Sequence, residues 1–378
     1  MTKTATLNID KDLLSTVNGF FKKVLADKAA DILLIPQDIP SGVNTVQTLV
    51  KDPKGVISAN PFAFVLPANS ASLLVKTTDE TPGERIAAVF RPCELRAVLE
   101  LAKLHQINLE NVTLISVDCL GTFSVPTYAE LFWDSKNNGL TMKLLKEAKE
   151  GGKSELSGKT LRSACQVCEL PVTDSADVNI GILGLDSGKE IMLSANTAKG
   201  EKLLDSLGLE LKEAEEPAER AKAISDLEKH RSETREALMA QIKEQVRDIS
   251  GFLQVLGGCI KCHNCMKVCP ICYCKECFFD SDIFKPSPRQ YMDKAQKRGV
   301  LRMPLDTALY HIGRMNHMIT SCVACGQCEN ACPSNIPLLA IYLALGKDVQ
   351  ALFDYLPGKS LDDELPLATF KEEELSEV

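Results

Sequence analysis

The chain has 378 residues, 15 of them cysteine, an apolar content of 45% and a formal net charge of -8. Its length and apolar content suit two or three domains with full cores, while the acidic balance excludes broad phosphate-backbone binding, so no nucleic acid is expected as a partner. The opening residues show no secretory pattern and no apolar run is long enough to cross a bilayer, so the expectation is a cytoplasmic chain whose thiols stay reduced and serve as ligands.

Leu13, Val17, Phe20, Phe21 and Val24 recur at helical spacing, and residues 31–36 and 62–67 read as buried strands. Such alternation predicts an α/β domain over residues 1–212. Two further strands, 85–90 and 112–117, run into Arg91-Pro92-Cys93-Glu94 and Asp118-Cys119. Both cysteines thus follow the carboxyl ends of strands, the edge where ligands gather on open α/β sheets. Cys165-Gln166-Val167-Cys168 adds a close pair, so Cys93, Cys119, Cys165 and Cys168 close a four-thiolate site if the two strands are neighbours. Otherwise Cys93 and Cys119 are small buried hydrophobes.

Residues 176–185 and 190–194 read as another strand pair, followed by Asn196-Thr197-Ala198-Lys199-Gly200, where a polar residue caps a helix starting near Lys199. That helix start suits a flavin phosphate or a plain cap equally. Residues 213–257, rich in Glu, Lys, Arg and Ala, read as a helical linker. Its apolar stripe is Leu227, Leu238, Ile242, Val246, Ile249 and Leu253, and Pro217 marks the start.

Residues 258–345 carry two copies of C-x-x-C-x-x-C-x-x-x-C-P: Cys259, Cys262, Cys265 and Cys269 before Pro270, and Cys322, Cys325, Cys328 and Cys332 before Pro333. In such paired motifs three thiolates wrap one cubane and the fourth reaches the other cluster. The spacing therefore predicts a helical two-cluster ferredoxin-like domain, with Cys259, Cys262, Cys265 and Cys332 on one 4Fe-4S cluster and Cys322, Cys325, Cys328 and Cys269 on the other. Cys259 to His263 also satisfies the C-x-x-C-H signature of haem attachment, but Cys265 and Cys269 fit a cluster loop without help from His263. Zinc is the other competitor, which the duplicated ending disfavours.

Cys272, Cys274 and Cys277 fall one ligand short of a site, leaving open a fourth cluster, an exchange of roles with Cys269, or inert thiols. Pro286, Pro288 and Pro304 punctuate the interval before a helical run over 307–318. There His311 and His317 stand too far apart to chelate and are expected to pack beside a cluster. Residues 346–378 form an acidic tail, with seven carboxylates against Lys371 from position 362 onward. No G-x-S-x-G, H-E-x-x-H or G-x-G-x-x-G pattern points to hydrolysis or a nicotinamide site.

Arg91-Pro92-Cys93-Glu94-Leu95-Arg96, Asp118-Cys119-Leu120-Gly121, Cys165-x-x-Cys168, the strand around Asp177 and Asn179, and Thr197-x-x-Gly200 together resemble the beta-subunit family of coenzyme F420 hydrogenases and dehydrogenases. The stretch from Cys269 to Cys277, with 311–337, is similar to the version found in formate dehydrogenase beta subunits. The resemblance implies an oxidoreductase subunit that binds FAD beside a cluster held by Cys93, Cys119, Cys165 and Cys168, making three 4Fe-4S clusters in all. It implies Arg91, Arg96, Asp118, Gly121, Thr197 and Gly200 as flavin-lining residues, and a partner catalytic subunit of formate dehydrogenase or hydrogenase type. The family often has Thr-Pro-Cys where this chain has Arg91-Pro92-Cys93. A flavin-free wire similar to the small iron-sulfur subunit of heterodisulfide reductases, with subunits of that kind as partners, is the alternative. In either case Gly121 and Gly326 let backbone amides approach a cluster.

Overall fold

The computed structural model describes residues 2–9, 11–135, 139–151, 153–186, 188–284, 287–299 and 305–368. Pro286, Pro304 and the acidic run beyond residue 368 lie outside the described residues. The chain divides into two compact units. One comprises Met1–Glu236, Val323–Cys325 and Pro357–Glu364, the other Ala237–Cys322, Gly326–Leu356 and Leu365–Val378.

The first unit is built on strands β1 (Thr2–Asn8), β2 (Ile32–Asp38), β3 (Thr45–Val50), β4 (Ile86–Phe90), β5 (Val112–Val117), a small hairpin β6 (Glu155–Leu156) and β7 (Lys159–Thr160), then β8 (Val178–Gly181), β9 (Glu190–Ala195) and β10 (Lys212–Ala214). Among the described residues all but the hairpin join one sheet in the order β10-β1-β9-β8-β5-β4-β2-β3. The middle strands β8, β5, β4 and β2 are parallel, and β3, β9, β1 and β10 are added antiparallel at the two sides. β4 is buried along its whole length, as expected of a parallel strand covered on both faces.

Helices α1 (Leu13–Ala26), α2 (Ala71–Glu80), α3 (Pro92–Lys103), α4 (Val125–Asp134), α5 (Leu140–Lys149), α6 (Ser163–Gln166) and α7 (Ala198–Ser206) complete that unit together with α8 (Ala218–Gln245) as far as Glu236. Helix α1 opens on Asp12, whose carboxylate accepts from the Ser15 N–H at 2.8 Å, and it buries the five residues whose spacing predicted it. Each such side chain contributes about 2 kcal/mol of apolar burial.

The second unit is helical: the end of α8, α9 (Ile249–Val255), α10 (Asn264–Lys267), α11 (Pro288–Arg298), α12 (Leu305–Met318), α13 (Gln327–Asn330) and α14 (Leu338–Leu352). Its interior gathers Phe279, Phe284 and Tyr310 in edge-to-face contacts. Arg314 lies over the rings of Tyr310 and Tyr342, at 5.9 and 5.4 Å.

One predicted strand is absent. Residues 62–67 are buried but form turns and a single bridge, Val65 to Phe123, instead of a ladder. The reason is a side chain that periodicity cannot reveal: the carbonyls of Ala63 and Val65 accept from the Arg91 guanidinium, and that of Phe64 from the Phe123 N–H at 2.8 Å.

The edge of the sheet is locked by Asp118. Its carboxylate takes both terminal nitrogens of Arg220 at 2.5 and 3.0 Å, the N–H groups of Ile182 and Leu183, and the Asn179 amide, all buried. Arg220 thereby pins the start of α8 to the ends of β5 and β8. Removing one partner from a buried pair strands the other charge. Asp118→Asn is expected to cost about 3 kcal/mol, read as a lower urea midpoint, and pairing it with Arg220→Met should recover part of the loss. An unchanged midpoint in the single variant would refute the anchoring role.

Candidate functional site

Because β4 and β5 are neighbours, paired from Ile86–Val112 to Phe90–Ser116, the residues just past their carboxyl ends are brought together. Cys93 lies in the first turn of α3. Cys119 follows β5, its N–H donating to the Pro171 carbonyl at 2.8 Å. The loop after α5 returns to the same edge, where Arg162 donates from its backbone N–H and its Nε to the Thr122 carbonyl and hydroxyl, each at 2.9 Å. These bonds set the short α6, so that Cys165 and Cys168 face the other two sulfurs. The result is a cavity lined by Cys93, Cys119, Cys165 and Cys168 together with Gly121, Thr122 and three arginines, Arg91, Arg162 and Arg231.

A fifth cysteine, Cys325, also lines this cavity. The motif spacing gave no sign of it. The cause is Arg96 on α3, whose guanidinium donates to the Val323 carbonyl at 3.2 Å and to the Pro357 carbonyl at 2.8 Å, holding the 323–325 segment within the first unit.

Burial pushes the Cys93 thiol well up, and neighbouring Glu94, Cys119, Cys325 and Cys168 push the same way. Burial also raises Cys168, against the pull of Arg231. At Cys165 the balance reverses: burial opposes the thiolate, but Arg162, the Thr122 hydroxyl and N–H at 3.3 Å, and Arg231 together bring it below its ordinary value. Deprotonated sulfur is thus favoured at Cys165, where Arg162 and Thr122 stand against it.

Two buried donors, Arg162 Nη1 and Arg231 Nε, have no hydrogen-bond partner among the described residues. Buried donors left unpaired beside four thiols fit an anionic group with sulfur acceptors, which an iron-sulfur cubane is. Among the described residues no three His, Cys, Asp or Glu side chains stand close enough to share a single ion. A cubane asks for wider spacing, because each thiolate binds a different iron.

Beside this cavity lies a groove of about 370 Å³, bounded by Pro36, Val46, Gln47, Leu66, Leu73, Phe90 and Arg91 and opening at the carboxyl ends of β2 and β4. Its size and mostly apolar wall suit a flat aromatic ring. Arg91 and Leu66 line both the groove and the cysteine cavity, so these two side chains are the wall between them.

Of the six residues that the resemblance assigns to flavin, Arg91 faces the groove and Gly121 the cysteine cavity. Gly121 has a φ of +111°, and a Cβ there would meet Leu161 at 2.7 Å, so the backbone approaches closely only as glycine. The other four have different surroundings. Arg96 holds the 323–325 segment and Asp118 holds Arg220. Thr197 caps α7 by accepting from the Gly200 N–H at 3.3 Å and donates to Asp177. At Gly200 a Cβ would meet the Asp177 carbonyl at 2.0 Å, so this glycine lets α7 sit against β8.

The two ferredoxin-type loops repeat one backbone device. Lys261 and His263 flank Cys262 with φ of 57° and 59°, and Ala324 and Gly326 flank Cys325 with 56° and 70°. Left-handed non-glycine residues cost about 1 kcal/mol or more each, so their repetition marks a loop held in a set shape. Burial raises Cys259, and nearby Cys265, Cys332 and Cys262 raise it further, which brings those four sulfurs into one neighbourhood.

His311 Nε2 lies 3.4 Å from Cys259 Sγ, and burial pushes its pKa down to about 4, so a neutral imidazole packs on that sulfur. The Tyr310 hydroxyl is 3.3 Å from Cys265 Sγ. His317 instead lines a separate pocket of about 470 Å³ with Cys272, Cys274 and Cys277. Cys272 is raised by a hydrogen bond with Cys269 and then by burial, so these two sulfurs are adjacent.

Residues 83–220 match the family described as the C terminus of the beta subunit of coenzyme F420 hydrogenase/dehydrogenase, and residues 255–336 match the 4Fe-4S dicluster domain. The chain is 28% identical to the F420-dependent formate dehydrogenase subunit beta of Methanocaldococcus jannaschii, over 93% of this chain and 92% of that protein. It is 29% identical to the F420-dependent formate dehydrogenase 1 subunit beta of Methanococcus maripaludis, with the same coverage. A chain of the F420-reducing [NiFe] hydrogenase complex from Methanosarcina barkeri superposes with a TM-score of 0.49 at 15% identity, covering 66% of this chain and 94% of that one. Among the described residues no helix is long and apolar enough to cross a membrane.

The fifth cysteine sets a test. Cys165→Ser should remove about four irons per chain and leave both dicluster signals in electron paramagnetic resonance, whereas Cys325→Ser should remove a dicluster signal and spare the centre at the sheet edge. Loss of the sheet-edge centre in Cys325→Ser would reassign its ligands.

Proposed function

Because the chain belongs to the coenzyme F420 hydrogenase/dehydrogenase beta-subunit family, we propose that it is the iron-sulfur flavoprotein subunit of a formate dehydrogenase-type complex, relaying electrons between a partner catalytic subunit and a flavin-linked acceptor. The observation that carries this reading is the groove beside the four-cysteine cavity, with Arg91 and Leu66 between them. Flavin, when bound, exchanges a hydride with a two-electron partner and passes single electrons to clusters.

The chain's own residues supply position and environment. Phe90, Leu66 and Leu73 give the groove an apolar wall, while the Gln47 amide, fixed on the Val89 carbonyl at 2.9 Å, offers a polar edge. Arg91 stands at the shared wall. Its Nη1 donates to Cys119 Sγ at 3.5 Å and its Nη2 to the carbonyls of Ala63 and Val65, so the guanidinium is held in place without water.

In this reading Cys93, Cys119, Cys165 and Cys168 hold the cluster next to the flavin. Cys259, Cys262, Cys265 and Cys332 hold a second cluster, and Cys322, Cys325, Cys328 and Cys269 a third. Arg96, Asp118, Thr197 and Gly200 serve the scaffold around the cofactors, and Cys272 is a rival of Cys269 for its ligand place.

Purified without oxygen together with its bound subunits, the protein is expected to yield about one flavin and about twelve irons per chain, four for each of three cubanes. Cys262→Ser should remove one dicluster signal and slow electron relay to the partner, while flavin reduction by its own two-electron partner persists. A complex with full iron but no extractable flavin would favour the flavin-free wire, and unchanged relay in Cys262→Ser would refute the path through the dicluster unit.

A further inference from the structure

The four-cysteine cavity is lined by three arginines and, among its described lining residues, by no carboxylate. Arg91, Arg162 and Arg231 are 5%, 9% and 1% exposed. Arg162 Nη2 donates to Cys165 Sγ at 3.6 Å and Arg91 Nη1 to Cys119 Sγ at 3.5 Å, while Arg231 is fixed on the carbonyls of Leu120 and Cys168 at 2.7 and 3.4 Å. Glu94, whose charge bears on Cys93, lines the groove instead of the cavity, and its carboxylate accepts from the N–H groups of Ser70 and Arg91 at 2.9 and 3.2 Å.

We propose that these three guanidiniums make the sheet-edge centre an electron trap, raising its reduction potential above that of the two dicluster centres. The proposal rests on the reading of the four cysteines as cluster ligands. An oxidised cubane with four thiolates is a dianion, and accepting one electron, with no bond made or broken, turns it into a trianion. Fixed positive charge in a water-poor cavity stabilises the trianion more than the dianion, and net charge and sulfur hydrogen bonds are the levers that set such potentials.

A guanidinium never gives up its proton, so the bias does not fade with pH. The two unpaired donors, Arg162 Nη1 and Arg231 Nε, are further hydrogen-bond groups waiting for cluster sulfur. Arg91 adds a directional element, because it lies on the wall shared with the groove. An electron leaving the groove therefore meets the arginine-lined centre first.

The test is a redox titration of the whole complex with a chemical reductant, followed by electron paramagnetic resonance, on the unsubstituted protein and on Arg91→Gln, Arg91→Lys, Arg162→Gln and Arg162→Lys, with iron counted in each. Each glutamine variant should make the sheet-edge centre at least tenfold harder to reduce, about 59 mV for one electron. Each lysine variant should stay near the original value, and the dicluster midpoints should not move.

Loss of the centre from the glutamine variants but not the lysine ones also supports charge as the agent. Unmoved midpoints, lysine variants that shift as far as glutamine, or loss of iron from lysine and glutamine alike would overturn the proposal. Absence of a third signal in the unsubstituted protein would instead sink the ligand reading beneath it, and this inference with it.

Discussion

A thiolate taken out of water needs other groups to replace the solvent that stabilised it, and this need shapes the carboxyl edge of the sheet. Arg91, Arg162 and Arg231 are buried there against the sulfurs or carbonyls of Cys119, Cys165 and Cys168. Each then organises its own neighbourhood. Arg91 draws the 62–67 segment out of any ladder, Arg162 sets α6 through Thr122, and Arg231 ties α8 to the loop that follows β5. The cost of burying three cations is acceptable only if the cavity holds matching negative charge, which is the strongest physical reason to place a cluster there.

Around that centre the fold supplies rigidity from elsewhere. Asp118 and Arg220 close the edge between β5 and β8, and Thr197 with Gly200 seats α7. These residues carry the family likeness as clearly as the cysteines do, yet their contacts are with the protein itself. A shared motif at a site can thus record the scaffold that presents the chemistry.

The parts legible in the sequence were those with a local signature. Helical spacing marked α1, a polar residue before Ala198 marked the cap of α7, and the repeated cysteine motif marked the dicluster region that the family match covers. The neighbour relation of β4 and β5, on which the four-cysteine site depended, was conditional in the sequence and is settled by their register. What stayed hidden was long-range. Residues 62–67 have the apolar character of a strand, but their carbonyls are claimed by an arginine 26 to 28 positions away. Cys325 read only as a ferredoxin-type ligand until Arg96, 227 positions from Val323, brought its segment to the sheet edge. Strand β1 also escapes a sequence reading, since Thr2, Thr4 and Thr6 alternate in it with Lys3, Ala5 and Leu7 and, among its described side chains, only Ala5 is buried.

On this reading, sulfur at the sheet edge holds a redox centre in addition to the two of the dicluster region. Spin counting of the fully reduced, oxygen-free protein addresses it most directly. About three cubane spins per chain are expected, one assigned to each ligand set. A count of about two, with Cys93, Cys119, Cys165 and Cys168 all alkylated as free thiols, would contradict it.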